Sequence, residues 1–376
     1  MDMKSRIAWF FRGGIAGSLI CCCLAAPVPV YFGTSGNEAK GIYRATFDPA
    51  SGKLTTASLA AEIGSPGFLA LAPSGDRLYA VANFPGGPGV AGFRVQADGS
   101  LLPINTSPTG DGGGAHVAVH PSGKFLLTAQ YGGGSVALFP LDDVGRLGPA
   151  KLSRHDAGSG VVPSRQEKAH PHWCGFSPDG CFALVPDLGM DAIVVYRVDG
   201  SVPSITRHGL IPANPGGGPR HMRFSIDGRF IYLLNEISLA VTTYSWDAAA
   251  GTAKMLSAVP ALSEEAKRKE ASCSAAEILV HPTANFVYSS NRGHDSVTVY
   301  REDPVSGRLV VTEVEPVRGA LPRNINLDPS GKWLLAAGAD SNTISVFQVN
   351  LDTGELRFQP KAVINVPGPI CIVFGR

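Results

Sequence analysis

The chain has 376 residues, a formal net charge of +1 at pH 7, 44% hydrophobic residues and 17% charged residues, as expected of a compact globular protein with a large core. It has no blocks of Lys and Arg of the kind that neutralise phosphates, which argues against nucleic acid as a partner. The 45 glycines and 29 prolines argue against a helical bundle and indicate turns and short strands.

The first 26 residues have the features of a targeting segment. An apolar run over residues 15–26, too short to span a bilayer comfortably, follows basic residues at positions 4, 6 and 12. We therefore predict a signal or targeting segment over residues 1–26 and a single domain over residues 27–376. Cleavage of this segment would place the protein in the periplasm or outside the cell, and the alternative is the cytoplasm.

The cysteines that follow this segment are scattered along the chain: Cys174, Cys181, Cys273 and Cys371. None stands in the CxxC or Cys/His spacing of a metal or redox site. We expect buried thiols rather than disulfides or metal ligands.

A motif of apolar strand, Pro-x-Gly-type turn and second apolar strand recurs six times along the chain. Its turn positions are 47 to 57 residues apart: Pro73, Pro121, Pro178, Ile226, Pro282 and Pro329. A repeat of this length is typical of propeller blades or of a linear β-solenoid.

A second motif, an alternating strand followed by a polar turn, occurs seven times, starting near Gly41, Gly89, Ser135, Ala192, Ala240, Ser296 and Thr343. Six hairpins and seven outer strands leave one blade without inner strands. Residues 27–34 resemble an inner second strand and residues 369–374 an inner first strand, so the two chain ends complete that blade. We therefore predict an all-β fold, a seven-bladed β-propeller closed by pairing of the N- and C-terminal strands in one blade.

The inner hairpins indicate where a site would lie, because the start of each first strand lies beside the end of the second and both line the central channel. Six residues before the turns stand Gly67, Ala115, His172, Arg220, Ala276 and Arg323, followed by Phe68, His116, Trp173, His221, Glu277 and Asn324. Ten residues after the turns stand Asn83, Tyr131, Leu188, Glu236, Arg292 and Ala339. Ionisable residues that differ from blade to blade indicate a site, and the alternative is a polar plug whose groups only satisfy one another.

Two loops flank these positions. Residues 153–169 precede His170 and His172 and are predicted to form a flap over the channel mouth. The two histidines have no third ligand in suitable spacing, so we expect no metal and no other cofactor. The glycines of residues 214–218 are interpreted as turn residues, because no Gly-Lys-Ser/Thr sequence follows them.

The sequence at these positions resembles the propeller lactonase family, which includes the propeller-type bacterial 6-phosphogluconolactonase and the fungal carboxy-cis,cis-muconate cyclase. The resemblance covers roughly residues 28 to 376. Its most specific motifs are Gly218-Pro-Arg-His-Met222, Asn235-Glu236, Arg165-Gln-Glu167 with His170-Pro-His172, Ala275-Ala-Glu-Ile278 with Asn291-Arg292, and Pro322-Arg323. The sequence departs from the family pattern at Trp173, where relatives often have a small polar residue, and at Ile226, which replaces the turn proline.

The resemblance implies metal-independent lactone chemistry at the channel mouth of a seven-bladed propeller. Carried over by motif, the implied catalytic residues are His172, Arg220, Glu236 and Arg292. The expected substrate-binding residues are His221, Arg323, His170 and Glu277.

The working hypothesis is a hydrolase that opens a sugar lactone, 6-phospho-D-glucono-1,5-lactone, to 6-phosphogluconate in the pentose phosphate pathway. Arg220 and Arg292 would bind the anionic group and polarise the carbonyl. His172 would act as general base on water, and Glu236 would orient His172 or an arginine.

Two alternatives remain at this point: a cycloisomerase acting on a carboxylated muconolactone, and a non-enzymatic exported binding propeller. The expected partner is a small anionic lactone, with no nucleic acid and no membrane contact beyond the targeting segment. The expected assembly is a monomer.

Overall fold

The chain forms a ring of seven antiparallel sheets. The computed structural model describes residues 26–270 and 272–375, so the predicted targeting segment lies outside the described residues except for its last position. Within these two ranges, no helix is long and apolar enough to cross a membrane.

The first four strands belong to the blade that closes the ring: β1 (Val28–Thr34), β2 (Gly41–Asp48), β3 (Lys53–Leu54) and β4 (Ser58–Glu62). β1 pairs with β2, and β2 pairs with both β3 and β4. The outermost position of this blade is therefore shared by two short strands.

Six blades follow in chain order. The first two consist of β5 (Gly64–Leu71), β6 (Arg77–Phe84), β7 (Gly87–Val95) and β8 (Leu101–Pro108), then β9 (Gly114–Val119), β10 (Phe125–Gln130), β11 (Ser135–Pro140) and β12 (Lys151–Arg154). The third and fourth consist of β13 (Gly175–Phe176), β14 (Phe182–Asp187), β15 (Ala192–Asp199) and β16 (Ser204–Pro212), then β17 (Pro219–Phe224), β18 (Phe230–Asn235), β19 (Ala240–Asp247) and β20 (Thr252–Pro260).

The fifth and sixth blades consist of β21 (Ser274–Val280), β22 (Phe286–Arg292), β23 (Ser296–Glu302) and β24 (Leu309–Pro316), then β25 (Pro322–Leu327), β26 (Trp333–Gly338), β27 (Thr343–Val349), β28 (Leu356–Phe358) and β29 (Ile364–Asn365). In each of the six blades the strands pair in chain order from the first, innermost strand, and β29 also pairs with β27. One short helix, α1 (Glu264–Lys269), connects the fourth and fifth blades, and the Ser263 hydroxyl caps it by accepting a 3.1 Å hydrogen bond from the Ala266 N–H.

The last strand, β30 (Pro369–Phe374), pairs antiparallel with β1 and places Ile372 opposite Phe32. The closing blade packs on both of its neighbours. Tyr31 packs with Leu78 of the first blade, and Phe32 packs with Leu335 of the sixth. The predicted seven-bladed propeller closed by its two chain ends is confirmed, and the solenoid alternative is wrong because the ends meet in one sheet.

Burial falls from the second strands to the outermost strands. Every residue of β10, β14, β18 and β26 is buried, because both faces of these strands pack on neighbouring blades. β20 consists only of exposed and half-buried residues, and in β24 exposed and half-buried residues alternate after the buried Leu309. In the first to fourth and the sixth blades, the turn between the first and second strands uses a left-handed glycine, as at Gly75 (φ 76°) and Gly123 (φ 70°), where a side chain would be strained.

The four described cysteines are free thiols. Cys174 and Cys371 are buried as expected, and burial raises the pKa of Cys371 to about 12. The expectation is wrong for Cys181, which is exposed because it follows a hairpin turn, and for Cys273, which is half-buried in the connection before β21.

Candidate active site

The four predicted catalytic residues meet at one mouth of the channel. The start of β17 pairs with the end of β18, and the start of β21 pairs with the end of β22, which confirms the predicted hairpin register. This register places Arg220, on β17, beside Glu236, which directly follows β18. Arg292 is the last residue of β22, and His172 lies shortly before β13.

A cavity of about 450 Å³ opens at this mouth, and its charged and aromatic lining consists of Tyr131, Arg165, His172, Glu236, Arg292 and Arg323. A smaller cavity of about 70 Å³ adjoins it and is lined in part by Phe68, His172, Arg220, His221 and Arg323. His172 and Arg323 line both cavities, so the two cavities lie next to each other.

Glu236 is the centre of the charged cluster. Its Oε1 accepts a 2.7 Å hydrogen bond from Arg165 Nη2 and lies 3.2 Å from Arg292 Nη2. Its Oε2 accepts a 2.9 Å hydrogen bond from Arg220 Nε. Burial alone would raise the pKa of Glu236, but the charges of Arg220 and Arg292 outweigh it and hold this pKa well below its ordinary value. Glu236 is therefore an ionised carboxylate that fixes three guanidinium groups.

The guanidinium groups of Arg220 and Arg292 have further partners in the backbone. Arg220, only 2% exposed, also donates through Nη1 to the carbonyl oxygen of Ala276. Burial, together with the charge of Arg292, lowers the pKa of Arg220 to about 9. Arg292 Nη2 donates a 3.0 Å hydrogen bond to the carbonyl oxygen of Ala275, whereas its Nε is buried and has no partner among the described residues.

Arg323, on β25, is the least engaged cation of the site. Its guanidinium makes no hydrogen bond or ion pair with any residue in the described part of the chain. Burial, together with the charge of Arg292, lowers its pKa. Four guanidinium groups thus surround one carboxylate, and an anion would balance this excess of positive charge.

His172 lies against the same carboxylate. Its Nε2 is 3.9 Å from Glu236 Oε2, beyond a direct hydrogen bond, and its Nδ1 is buried without a partner among the described residues. Burial, together with the charge of Arg220, holds the pKa of His172 well below its ordinary value. His172 is therefore neutral near pH 7 and has a ring nitrogen available to accept a proton.

The predicted substrate-binding residues other than Arg323 lie further from the open cavity. His221 lines only the smaller cavity. His170 lines neither cavity, and its Nδ1 lies 2.8 Å from the Tyr131 carbonyl oxygen. Glu277 is 1% exposed and lies behind the lining, so its contact with a substrate stays a prediction, as does that of His170. Across residues 26–270 and 272–375, no three His, Cys, Asp or Glu side chains are grouped to hold a metal ion.

Arg165 was not among the predicted site residues. The predicted flap over residues 153–169 overlaps β12, and residues 155–169 form the loop that brings Arg165 to Glu236. Gln166, fully buried, anchors this loop by donating through Nε2 to Asp191 Oδ1 at 2.7 Å and to the Leu188 carbonyl oxygen at 2.9 Å. The Arg165-Gln166-Glu167 motif was visible in the sequence. Its position in the fold could not be predicted from it, because this loop is not part of the blade repeat.

Residues 29–374 match the family model described as "Lactonase, 7-bladed beta-propeller". The chain belongs to this lactonase family. It is 31% identical over 347 residues to the 6-phosphogluconolactonase of Bacillus subtilis (strain 168), across 92% of this chain and 97% of that protein. It is 32% identical over 339 residues to the 6-phosphogluconolactonase of Formosa agariphila, across 88% of this chain and 94% of that protein.

The fold of this lactonase is similar to the solved structure of the periplasmic gluconolactonase of Pseudomonas aeruginosa. The TM-score is 0.87 at 27% sequence identity, and the match covers 93% of this chain and 99% of the other. The resemblance inferred from the sequence motifs is confirmed, as is the assignment to the ester hydrolases. The alternative of a non-enzymatic binding propeller is left without support.

Proposed function

We propose that this lactonase hydrolyses 6-phospho-D-glucono-1,5-lactone, a sugar lactone with an anionic group, to 6-phosphogluconate. The observation that carries the proposal is the charge of the site, where four guanidinium groups surround the single carboxylate of Glu236. Burying such an excess of like charge is unfavourable unless an anion joins it. The relatives named 6-phosphogluconolactonase support the same substrate.

Arg323 and Arg165 suit the phosphate of this substrate. Both line the larger cavity, and Arg323 has no other partner in the described chain. Guanidinium groups bind phosphate oxygens through two parallel hydrogen bonds. Arg292 lines the larger cavity together with His172 and would polarise the lactone carbonyl. Arg220 donates through Nε to Glu236 and through Nη1 to the Ala276 carbonyl oxygen, so it holds the carboxylate in place.

His172 acts as the general base. A water molecule hydrogen-bonded to both His172 Nε2 and Glu236 Oε2 fits their 3.9 Å separation and directs its oxygen at the carbonyl carbon. His172 takes a proton from this water as the new C–O bond forms. When the tetrahedral intermediate collapses, the ring C–O bond breaks and the proton passes to the leaving ring oxygen. Glu236 orients this water and does not take its proton, because both of its oxygens already accept hydrogen bonds from arginines.

Hydrolysis of freshly prepared 6-phosphogluconolactone by residues 27–376, measured against spontaneous hydrolysis in buffer, tests this proposal. We expect His172→Ala to lower kcat by at least about 100-fold, the usual contribution of a general base. His208→Ala, at an exposed histidine outside the site, is the matched control and should keep the wild-type rate. A wild-type rate no faster than buffer would contradict the proposal.

A second candidate substrate is glucono-1,5-lactone without the phosphate. The structurally similar protein from Pseudomonas aeruginosa is a periplasmic gluconolactonase, and residues 1–26 favour export, which we propose as the location. The ratio of kcat/KM for the two lactones decides between them. A carboxylated muconolactone in the same assay distinguishes the hydrolase from the cycloisomerase alternative.

A further inference from the structure

A second histidine–carboxylate pair adjoins His172. His221 Nδ1 lies 3.0 Å from Glu277 Oε1, and both residues are 1% exposed. The rings of His172 and His221 meet edge to face, with their centroids 5.3 Å apart. The mechanism proposed above gives this second pair no role.

The partners of Glu277 determine which nitrogen of His221 carries its hydrogen. Oε1 also accepts hydrogen bonds from Arg223 Nη2 at 2.9 Å and from the Ile278 N–H at 3.0 Å. Oε2 accepts a 2.7 Å hydrogen bond from Asn324 Nδ2. Since Glu277 accepts from every neighbour, His221 donates to it through Nδ1–H.

The opposite nitrogen of His221 must therefore act as an acceptor. Burial, together with the charges of Arg220 and Arg223, holds the pKa of His221 well below its ordinary value, so the ring is neutral near pH 7. A neutral imidazole carries one N–H, and Glu277 fixes it on Nδ1. His221 Nε2 has no hydrogen and needs a donor.

Two buried nitrogens of these rings, His221 Nε2 and His172 Nδ1, have no partner among the described residues. Both histidines line the cavity of about 70 Å³, which has room for one or two water molecules. A buried polar atom without a partner is costly. One water satisfies both nitrogens if it accepts from His172 Nδ1–H and donates to His221 Nε2.

We propose that Glu277 and His221 act as positioning residues that set the tautomer of His172 through one bridging water in this cavity. Because a water that donates to His221 Nε2 can either accept from His172 Nδ1–H or donate to Nδ1, we assign the direction from the general base proposed above: His172 must keep its hydrogen on Nδ1 for Nε2, on the side of Glu236, to accept a proton. We call the chain of Glu277, His221, the water and His172 the relay. It carries no net proton away from the site, because His172 Nδ1 keeps its hydrogen while His172 Nε2 gains a proton and returns it. The inference rests on the proposed role of His172 as the general base.

Nitrogen NMR of the histidine side chains in the full chain tests the relay without substrate. The resonances of a neutral imidazole show which nitrogen carries the hydrogen, and His172→Gln identifies the His172 signals. We expect the Nδ1–H tautomer of His172 in the wild type. We expect its loss, or its mixing with the Nε2–H form, in His221→Phe, which keeps a ring but removes both nitrogens. An Nε2–H tautomer in the wild type would overturn the relay even if that variant failed to fold.

His116→Phe is the matched control for the kinetics. His116 is buried 5.5 Å from the His221 ring but does not line the smaller cavity. We expect His221→Phe to lower kcat about 10- to 100-fold, within the contribution of a general base, with KM changed less than about threefold. The control should keep both the tautomer of His172 and kcat.

Equal losses in the two variants, or an unchanged tautomer of His172 in His221→Phe, would overturn the relay. The expected tautomer without lactone turnover would support the relay and contradict the proposed function.

Discussion

Glu236 balances only part of the charge around it. Its two oxygens contact Arg165, Arg220 and Arg292, while Arg323 remains unpaired among the described residues. Removing charges from water costs more than a buried ion pair usually returns, so a cluster with excess charge is poorly explained by stability alone. Perturbed ionisable groups that line a cavity are typical of functional sites. The cluster therefore supports the proposal of an anionic substrate.

The depressed pKa of His172 predicts an unusual pH dependence. General base catalysis needs the neutral ring, and a lowered pKa keeps the ring neutral to lower pH. We therefore expect kcat/KM to stay level as the pH falls through about 6.5, the ordinary histidine pKa, and to decline only in more acidic solution. Glucono-1,5-lactone is the substrate for this profile, because it lacks a phosphate that titrates near about pH 6. A half-maximal value near 6.5 would show that His172 is unperturbed or is not the base.

The repeat predicted most of the side chains that share the channel mouth, but not Arg165. His172, Arg220 and Arg323 occupy one repeated position, and the hairpin register brings Glu236 to the same mouth. The individual hydrogen bonds could not be predicted, because the partners of Glu236 come from two blades and a loop. Arg220 was predicted to bind the substrate; its Nε and Nη1 donate to Glu236 and to the backbone and it lines the smaller cavity, so substrate binding by Arg220 stays a prediction.

At the scale of elements, the loop over residues 155–169 interrupts the repeat and completes the site. Asp191 joins it to the glycine-rich loop: its Oδ1 accepts from Gln166 at 2.7 Å and from the Gly218 N–H at 3.0 Å, and its Oδ2 accepts from the Gly216 N–H at 2.7 Å. Gly216 and Gly218 adopt left-handed φ values of 73° and 67°, which confirms their interpretation as turn residues. One carboxylate thus fixes two loops that border the site.

Loss of the Gln166 hydrogen bonds should weaken substrate binding more than it slows the chemical step. Gln166→Ala removes the two hydrogen bonds donated by its Nε2 and the one that its Oε1 accepts from the Val162 N–H, so Arg165 should lose its fixed position. We expect KM for the phosphorylated lactone to rise about 3- to 10-fold, which corresponds to the roughly 1 kcal/mol of a hydrogen bond, and kcat to change less. Steady-state kinetics and the rate of tryptic cleavage in the loop measure this. Gln348→Ala, at an exposed position on β27, should change neither.

At the scale of the whole molecule, closure of the ring depends on the two chain ends. The turn repeat and the seven outer strands predicted the blade number, and the apolar ends predicted which strands meet in β1 and β30. The division of the outermost positions into β3 and β4, and into β28 and β29, was not predicted. Outermost strands are largely exposed, so their sequences have no strong apolar pattern that would fix their length.

A cavity at the closing seam should destabilise the entire propeller. Ile372 is 2% exposed and packs with Phe32 and Leu335, so we expect Ile372→Ala to lower the free energy of unfolding by about 2–4 kcal/mol. Urea denaturation measures this loss. Val310→Ala, at a 64% exposed side chain on β24, should cost less than about 0.5 kcal/mol. Equal effects of the two substitutions would show that the seam contributes little to stability.

The most direct test of anion recognition by the arginine cluster is the preference of Arg323→Gln for the phosphorylated over the unphosphorylated lactone. If Arg323 binds the phosphate, its loss should lower kcat/KM for 6-phosphogluconolactone about 10- to 100-fold, as expected for a hydrogen bond to a charged group, and change kcat/KM for glucono-1,5-lactone less than about threefold. Arg357→Gln, at an exposed arginine outside the site, should leave both values unchanged. Equal losses for both lactones in Arg323→Gln, or no loss for either, would contradict the claim that the arginine cluster recognises an anionic lactone.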